Sequence, residues 1–346
     1  MMLGRLRLCI LGAALAVAAV QEVSAHGVSL DFHHALPADS AFHTGFLLPW
    51  VQKVEQDAGG RMRFHPHAAS TPGGATDDLY GKVQEGEFDV IWAPVRTSAQ
   101  QGSLAVFALP FMVHGAQGGS RALSEFVRIN DLQDRDFDGV RVIAVHVGDG
   151  AQLHWRQAAD ADAAPTGRRI AAASEREVAL LKAMGAEASV MNPAQIAEAL
   201  KGGTLDAVLL PWERAAAGID RLTRAHVAFG SHGMGITSSV FVLAMSTSSF
   251  RGLADDLKAA VSANSGIDTA AWLGRVMEAA AGAACKAAVG RGDVVRVITP
   301  EELVRWREAA VRVIAATVAD LEAAGVRARP LLDSARERLR EFDPAR

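Results

Sequence analysis

Arginines stand beside small apolar residues and at the ends of strand-like runs in this chain, where a planar guanidinium fork can grip a carboxylate or another anionic oxygen. In "GRRIAAASE", residues 167–175, Arg168 and Arg169 precede three alanines. Arg96 follows the apolar run 88–92, which ends on Trp92. Trp212 and Glu213 close a second run in "LLPWE"; an indole there could enclose an apolar group while the carboxylate accepts hydrogen bonds or holds a cation. His65 and His67 flank Pro66 at i, i+2, a spacing that can serve a metal, yet no carboxylate or cysteine joins them at metal-site spacing. The histidines therefore read as structural, with His34 kept as a hydrogen-bonding group of a cleft. Arg168 and Arg169 read as surface residues at a strand start.

The elements that must position these groups alternate. Residues 28–34 alternate as a strand, 43–58 follow as a helix closed by Gly59 and Gly60, and 62–67 form a second strand. A helix over 77–85 and a strand over 88–92 complete β-α-β-α-β, the signature of a largely parallel sheet. The pattern returns further on, with strands at 140–147, 169–173, 188–191 and 205–210 and helices at 175–184 and 193–201. A strand is expected over 238–245, then a very long helical stretch over 253–289 interrupted only by single glycines. At about 1.5 Å per residue such a helix outruns one small lobe and is expected to bridge two. Helices at 301–324 and 332–342 end the chain. Open α/β sheets bind ligands outside the carboxyl ends of their strands, which singles out His34, Ser70, residues 92–96, 146–152, Ala171 and 210–213.

Bulk properties bound the class. Arg5 and Arg7 precede an apolar run of 13 residues, and Val23, Ser24 and Ala25 form a small-residue cleavage site, so residues 1–25 are expected to be an export signal. That run falls short of the roughly 20 residues a membrane helix needs. The mature chain would keep Cys285 alone, which rules out an internal disulfide, and would carry 33 basic against 38 acidic residues, without a basic nucleic-acid footprint. Its 321 residues exceed the usual single-core limit of about 250, so two lobes are expected. No nucleophile elbow, phosphate loop or dinucleotide fingerprint is present, and no cofactor is expected.

Several stretches together resemble the periplasmic solute-binding proteins of TRAP transporters, the DctP-like family: "VQKVEQDAGGRMRFHPHAAS", "LYGKVQEGEFDVIW", "VFALPFMV" and "LLKAMGAEASVMNPAQIAEALKGGTLDAVLLPWE", in that order and spacing. The resemblance runs over about residues 30–326. It implies a two-lobed α/β periplasmic binding fold with a cleft, hinge strands and a long bridging helix, closing over a small organic solute for delivery to permease subunits in the inner membrane. It also implies discontinuous lobes, 26–149 plus 238–282 and 150–237 plus 283–346, in a periplasmic protein expected to be a monomer and not an enzyme. Related proteins place the turn at Trp212 in the cleft, and Gln152 falls near a second ligand-binding arginine of some relatives, where a neutral amide would suit hydroxyl, amide or keto groups.

One departure bears on the ligand. Family members continue "Gly-Leu-Lys-Ile-Arg-Val-Pro" where this chain has "GRRIAAA", so Ala171 stands where the resemblance implies the carboxylate-binding arginine, and Leu210 stands where it implies an asparagine. The expected solute therefore either lacks a carboxylate or presents it to Arg96. The expected ligand-binding set is His34, Trp92, Arg96, Gln152, Ala171, Leu210, Trp212 and Glu213. Two other functions fit the sequence: a ligand-sensing partner of a periplasmic sensor, and a secreted metal-binding enzyme that chelates copper through the amine and imidazole of a newly exposed His26.

Overall fold

The computed structural model describes residues 27–69, 78–95, 99–215, 218–230 and 235–344, with the backbone alone for 99–101. The expected export segment, His26, Ser70 and Arg96 lie outside the described residues. The strands are β1 (Val28–His34), β2 (Met62–His67), β3 (Val90–Pro94), β4 (Val140–Trp155), β5 (Arg169–Ala172), β6 (Glu187–Val190), β7 (Ala207–Pro211), β8 (Ala225–Ala228), β9 (Ser238–Ser246) and β10 (Val294–Val297). The helices are α1 (Leu48–Asp57), α2 (Leu79–Gln84), α3 (Ala116–Ile129), α4 (Leu132–Asp136), α5 (Glu175–Ala183), α6 (Pro193–Lys201), α7 (Trp212–Ala215), α8 (Thr247–Gly252), α9 (Asp255–Ala263), α10 (Ile267–Gly290), α11 (Pro300–Ala323) and α12 (Ala328–Phe342).

β4 organises the molecule because it belongs to two sheets. Its first part, Val140 to Gly150, pairs antiparallel with β9, which pairs with β3, and the order continues through β1 to β2. Its second part, Ala151 to Trp155, pairs antiparallel with β7 and β8, and that sheet extends to β5 and β6 on one side and β10 on the other. Since β1, β2 and β3 are mutually parallel, and β5, β6 and β7 likewise, the register fixes where their carboxyl ends lie. Pro211, the last residue of β7, pairs with Ala151, and Trp92 of β3 lies across β9 from Ala144. The carboxyl ends of both parallel sets thus face each other at the Gly148–Gly150 segment of β4.

A second connection runs beside the first. Gly150 is opposite Ser238, the amide of Ala151 donates to Thr237 O at 2.8 Å, and that of Ile236 donates to Ala151 O at 3.0 Å. The two segments approach so closely that a Cβ on Gly235 would collide with the Gly150 backbone, which requires glycine there. The third connection is α10, which packs on α3 and β4 at one end and on α7 and β10 at the other.

Two main cores result. One holds Phe32, Phe46, Trp50, Ile91, Phe107, Phe126 and Leu273 with Leu331 and Leu339 of α12; the other holds Trp155, Ile170, Leu180, Leu209 and Phe229 with Trp306 of α11. Burial of each amphipathic face is the main force for these layers, at about 25 cal/mol per Å² of apolar surface.

Three local differences from the sequence reading have physical causes. The stretch expected as one helix over 253–289 is two, α9 and α10, broken at Gly266, whose φ of 87° is left-handed. The break is held from outside: Gly266 N donates to Ile143 O at 2.7 Å, and Trp50 Nε1 and Thr269 Oγ1 both donate to Asn264 O at 2.9 Å. β4 is twice the expected length, since Gly148 and Gly150, which look like loop punctuation, continue the strand across the junction. α3 goes unassigned in the sequence reading; its paired glycines break helix propensity, yet Gly119, Ala122, Leu123 and Phe126 form its buried face.

Candidate functional site

The parallel strand ends of the first lobe carry an aromatic and imidazole cluster. Trp92, only 3% exposed, is stacked between Phe42 (centroids 4.2 Å apart, 23° between planes) and Phe241 (4.6 Å, 7°). Its Nε1–H donates to His146 Nε2 at 2.8 Å, which leaves the His146 proton on Nδ1, facing Val147 O at 3.1 Å. His34 is fully buried; the Leu36 amide donates to its Nδ1 at 3.3 Å, so its Nε2–H donates to His43 Nδ1 at 2.8 Å. Burial holds the imidazoles of His34 and His146 at about 4, so both are neutral near pH 7.

The crossing segment contributes Asp149. It is 3% exposed, its Oδ2 accepts from the Trp212 amide at 3.0 Å, and burial together with the nearby Glu213 carboxylate pushes its carboxyl up to about 8. Glu213 is half-buried and its own carboxyl is raised by burial. Two acidic side chains at the junction are thus held toward their neutral forms, which weakens their repulsion of an anion between the lobes.

In the second lobe Trp212 is 4% exposed and packs on Ala281 and Ala288 of α10, edge-on to His154 at 4.8 Å and tilted against His226 at 4.7 Å. His154 Nε2–H donates to Leu210 O at 3.0 Å and its Nδ1 faces His226 Nδ1 at 2.8 Å; burial and His226 bring His154 down to about 3. Gln152 spends its amide on the backbone, with Oε1 accepting from Phe229 N at 3.0 Å and Nε2 donating to Gly150 O at 3.2 Å. Ala171 and Leu210 are fully buried in an apolar cluster with Ile196, Leu200, Leu205, Val208 and Ile219 beneath α6.

The sequence-selected residues therefore divide. Trp92, Trp212 and Glu213 stand at the facing strand ends, and His34 stands there too with its Nε2–H committed to His43. Gln152 supports the junction, while Ala171 and Leu210 fill a core. Arg169 lies at the other end of β5, in a two-pronged ion pair with Asp206 (2.7 and 3.1 Å), and Arg168 bonds Asp160 at 3.0 Å, so both are structural ion pairs of the surface, as the sequence suggests. His65 Nε2 meets Ser29 Oγ at 2.7 Å and His67 Nε2 meets Asp31 Oδ1 at 2.8 Å.

One cation went unnoticed in the sequence. Arg176 is the second residue of α5, the helix that starts from the carboxyl end of β5 under a Ser174 cap. Burial lowers its guanidinium from the usual arginine value, and its Nε is buried with no hydrogen-bond partner. The readable signal was "ASER" itself: a helix cap directly after a strand places the next residues at a sheet's binding edge.

Two α/β lobes whose strand carboxyl ends face each other across two crossing strands and a bridging helix define a two-lobed solute-binding protein. The chain matches the model of the bacterial extracellular solute-binding proteins, family 7 (DctP), over residues 32–320, and belongs to that family. Among solved structures it is similar to a TRAP solute-binding protein from Rhodoferax ferrireducens in complex with copurified benzoate, with 30% identity and a TM-score of 0.80 over 91% of this chain and 98% of that one. A marine metagenome TRAP solute-binding protein specific for aromatic acid ligands, solved with 3-hydroxybenzoate, has 24% identity and a TM-score of 0.82 over 92% and 99% of the two chains. A Bordetella bronchiseptica TRAP periplasmic solute-binding protein with bound mandelate has 22% identity and a TM-score of 0.76 over 91% and 100%. No curated protein matches the chain. The protein is thus a TRAP-type solute-binding protein; its family and structural relatives are binding proteins. Among the described residues no helix is long and apolar enough to cross a membrane.

Proposed function

We propose that this protein captures a small organic acid with an apolar, aromatic-sized body in the cleft at Gly150 and hands it, in the periplasm, to the permease subunits of a TRAP transporter. The observation that carries the reading is the facing of two sets of parallel strand ends across the β4 junction, the position where open α/β sheets bind ligands. The buried stack of Phe42, Trp92 and Phe241 behind the strand ends supports an apolar wall there, and benzoate in the Rhodoferax relative supports the acid. Burial raises the carboxyls of both Asp149 and Glu213 at the junction, which supports an anion rather than a cation.

In this reading the first lobe is 26–149 plus 238–282 with α12 added, because α12 packs into the first core, and the second is 150–237 plus 283 to the end of α11. The protein works as a monomer without catalysis. Thermal-shift screening of the purified protein against benzoate, hydroxybenzoates, mandelate, sugar acids and neutral polyols tests the proposal. An acid at 100 times its dissociation constant adds about 2.7 kcal/mol of stability. Stabilisation by polyols alone would contradict it, and loss of uptake on permease deletion separates transport from sensing.

A further inference from the structure

With position 171 buried as alanine in an apolar cluster and Arg169 tied to Asp206 at the far end of its strand, the clamp that the family relationship leads one to look for has no cation at its ordinary place. The same lobe holds a guanidinium with one buried donor left over. Arg176 makes no ion pair among the described residues, and its Nε is shut off from solvent without a hydrogen-bond partner. A buried donor without a partner is costly, and a carboxylate arriving from outside would satisfy it.

The carboxylate next in sequence, Glu177, favours the Arg176 charge through space but spends its hydrogen bonds elsewhere. Glu177 Oε2 accepts from the Ala173 amide at 3.1 Å and the Ser174 hydroxyl at 3.0 Å, and its Oε1 accepts from Thr237 Oγ1 at 2.7 Å. These same bonds locate Arg176. Thr237 belongs to the second crossing segment, paired with Ala151, so the first turn of α5 is pinned against the junction where the two sets of strand ends meet.

Arg156 supplies the contrast. Its Nε is also buried without a partner, but it follows the end of β4 and its amide donates to Asp206 O at 2.9 Å, at the sheet edge away from the junction. Among the described residues, Arg176 combines a buried, unpartnered Nε with a place at the first turn of α5, pinned to the junction.

We propose that Arg176 is the counter-ion for the carboxylate of the solute, a clamp moved from the body of β5 to the first turn of the helix that follows, so that the solute is an organic anion gripped from the second lobe. The proposal rests on the reading of the cleft as the solute site. A guanidinium there presents two parallel N–H donors, a geometry that fixes a planar carboxylate in orientation as well as position. Its location on a helix turn five residues beyond Ala171 leaves the apolar cluster around Ala171 undisturbed.

The test is calorimetry and thermal melting of the purified protein and of Arg176→Gln, Arg176→Lys and Arg96→Ala, with benzoate, 3-hydroxybenzoate and mandelate as acids and benzamide as the neutral probe. The expected results are binding of at least one acid by the native protein, a loss of about 30-fold or more in Arg176→Gln, partial recovery in Arg176→Lys, and no loss of benzamide binding where that occurs. The ligand-free Arg176→Gln protein is expected to melt no lower than the native one, because a buried donor without a partner has been removed. Acid binding by Arg176→Gln within about threefold of native overturns the assignment while the cleft reading stands, as does a loss confined to Arg96→Ala. A ligand-free melting point that falls in Arg176→Gln, with acid affinity kept, makes the residue structural and also overturns it. Failure of the native protein to bind any of the acids overturns the organic-acid reading and the assignment together.

Discussion

Thr237 and Glu177, 60 residues apart in sequence, are joined by a hydroxyl-to-carboxylate hydrogen bond of 2.7 Å that ties the first turn of α5 to the second crossing strand. Both residues are buried, so the bond is charge-assisted and screened from water. Thr237→Val keeps the shape and removes the donor. It is expected to cost about 1.5–3 kcal/mol in urea unfolding, more than the roughly 1 kcal/mol of an ordinary neutral hydrogen bond. A cost near zero would show that the bond does not anchor the helix.

Gly235 permits the close passage of its segment over Gly150. Gly235→Ala forces the two backbones apart at the hinge and is expected to lose about 1–3 kcal/mol, as overpacking does elsewhere. The measurement is the urea midpoint at unchanged slope. Native stability in this variant would mean that the crossing has slack.

Ala171→Arg places a long cation in a fully buried apolar cluster. Loss of several kcal/mol of stability is expected, since no acidic group belongs to that cluster to compensate the charge. Circular dichroism melting with and without benzoate checks it. A variant that melts like the native protein and binds the acid more tightly would return the clamp to position 171.

The pH dependence follows from four buried groups. His34 and His146 take up protons at about 4 and His154 at about 3 in the folded chain, against about 6.5 when unfolded, so between pH 4 and 6.5 the unfolded chain binds more protons and stability rises with pH. Asp149 acts in the opposite sense. Its folded carboxyl titrates at about 8, so the folded chain holds the extra proton between pH 4 and 8 and this contribution falls as pH rises. Three imidazoles outweigh Asp149 up to pH 6.5, after which the raised carboxyl of Asp149 sets the slope, with Glu213 shifted in the same direction. Melting points measured from pH 4.5 to 8.5 are expected to peak near 6.5, and Asp149→Asn is expected to flatten the alkaline side. A profile that falls steadily from pH 4.5 would contradict the neutral buried imidazoles.

Much of the architecture was legible because period and punctuation agree with the fold. "DAGGRMRF" announces the end of α1 and the start of β2, and the structure gives Gly59 and Gly60 φ values of 61° and 73°. The hinge was less legible: Gly148 and Gly150 look like turn residues but lie inside β4, because their extended conformation is imposed by β9 and β7, which are distant in sequence. Side-chain roles in the site were legible least. Position 171 could be seen to lack its cation, but nothing local to Arg176 shows that its partner is missing, since pairing depends on where Glu177 and Thr237 meet. The amide of Gln152 likewise looked available until Phe229 N and Gly150 O were found beside it.

The central claim is that a solute binds between the lobes and draws them together. Spin labels on cysteines replacing Lys53 on α1 and Lys201 on α6, with Cys285 changed to serine, report the distance between the lobes by pulsed electron resonance. On saturation with an acid that stabilises the protein, the account predicts a shorter and narrower distance distribution than without it. Binding of that acid with an unchanged distribution would contradict it.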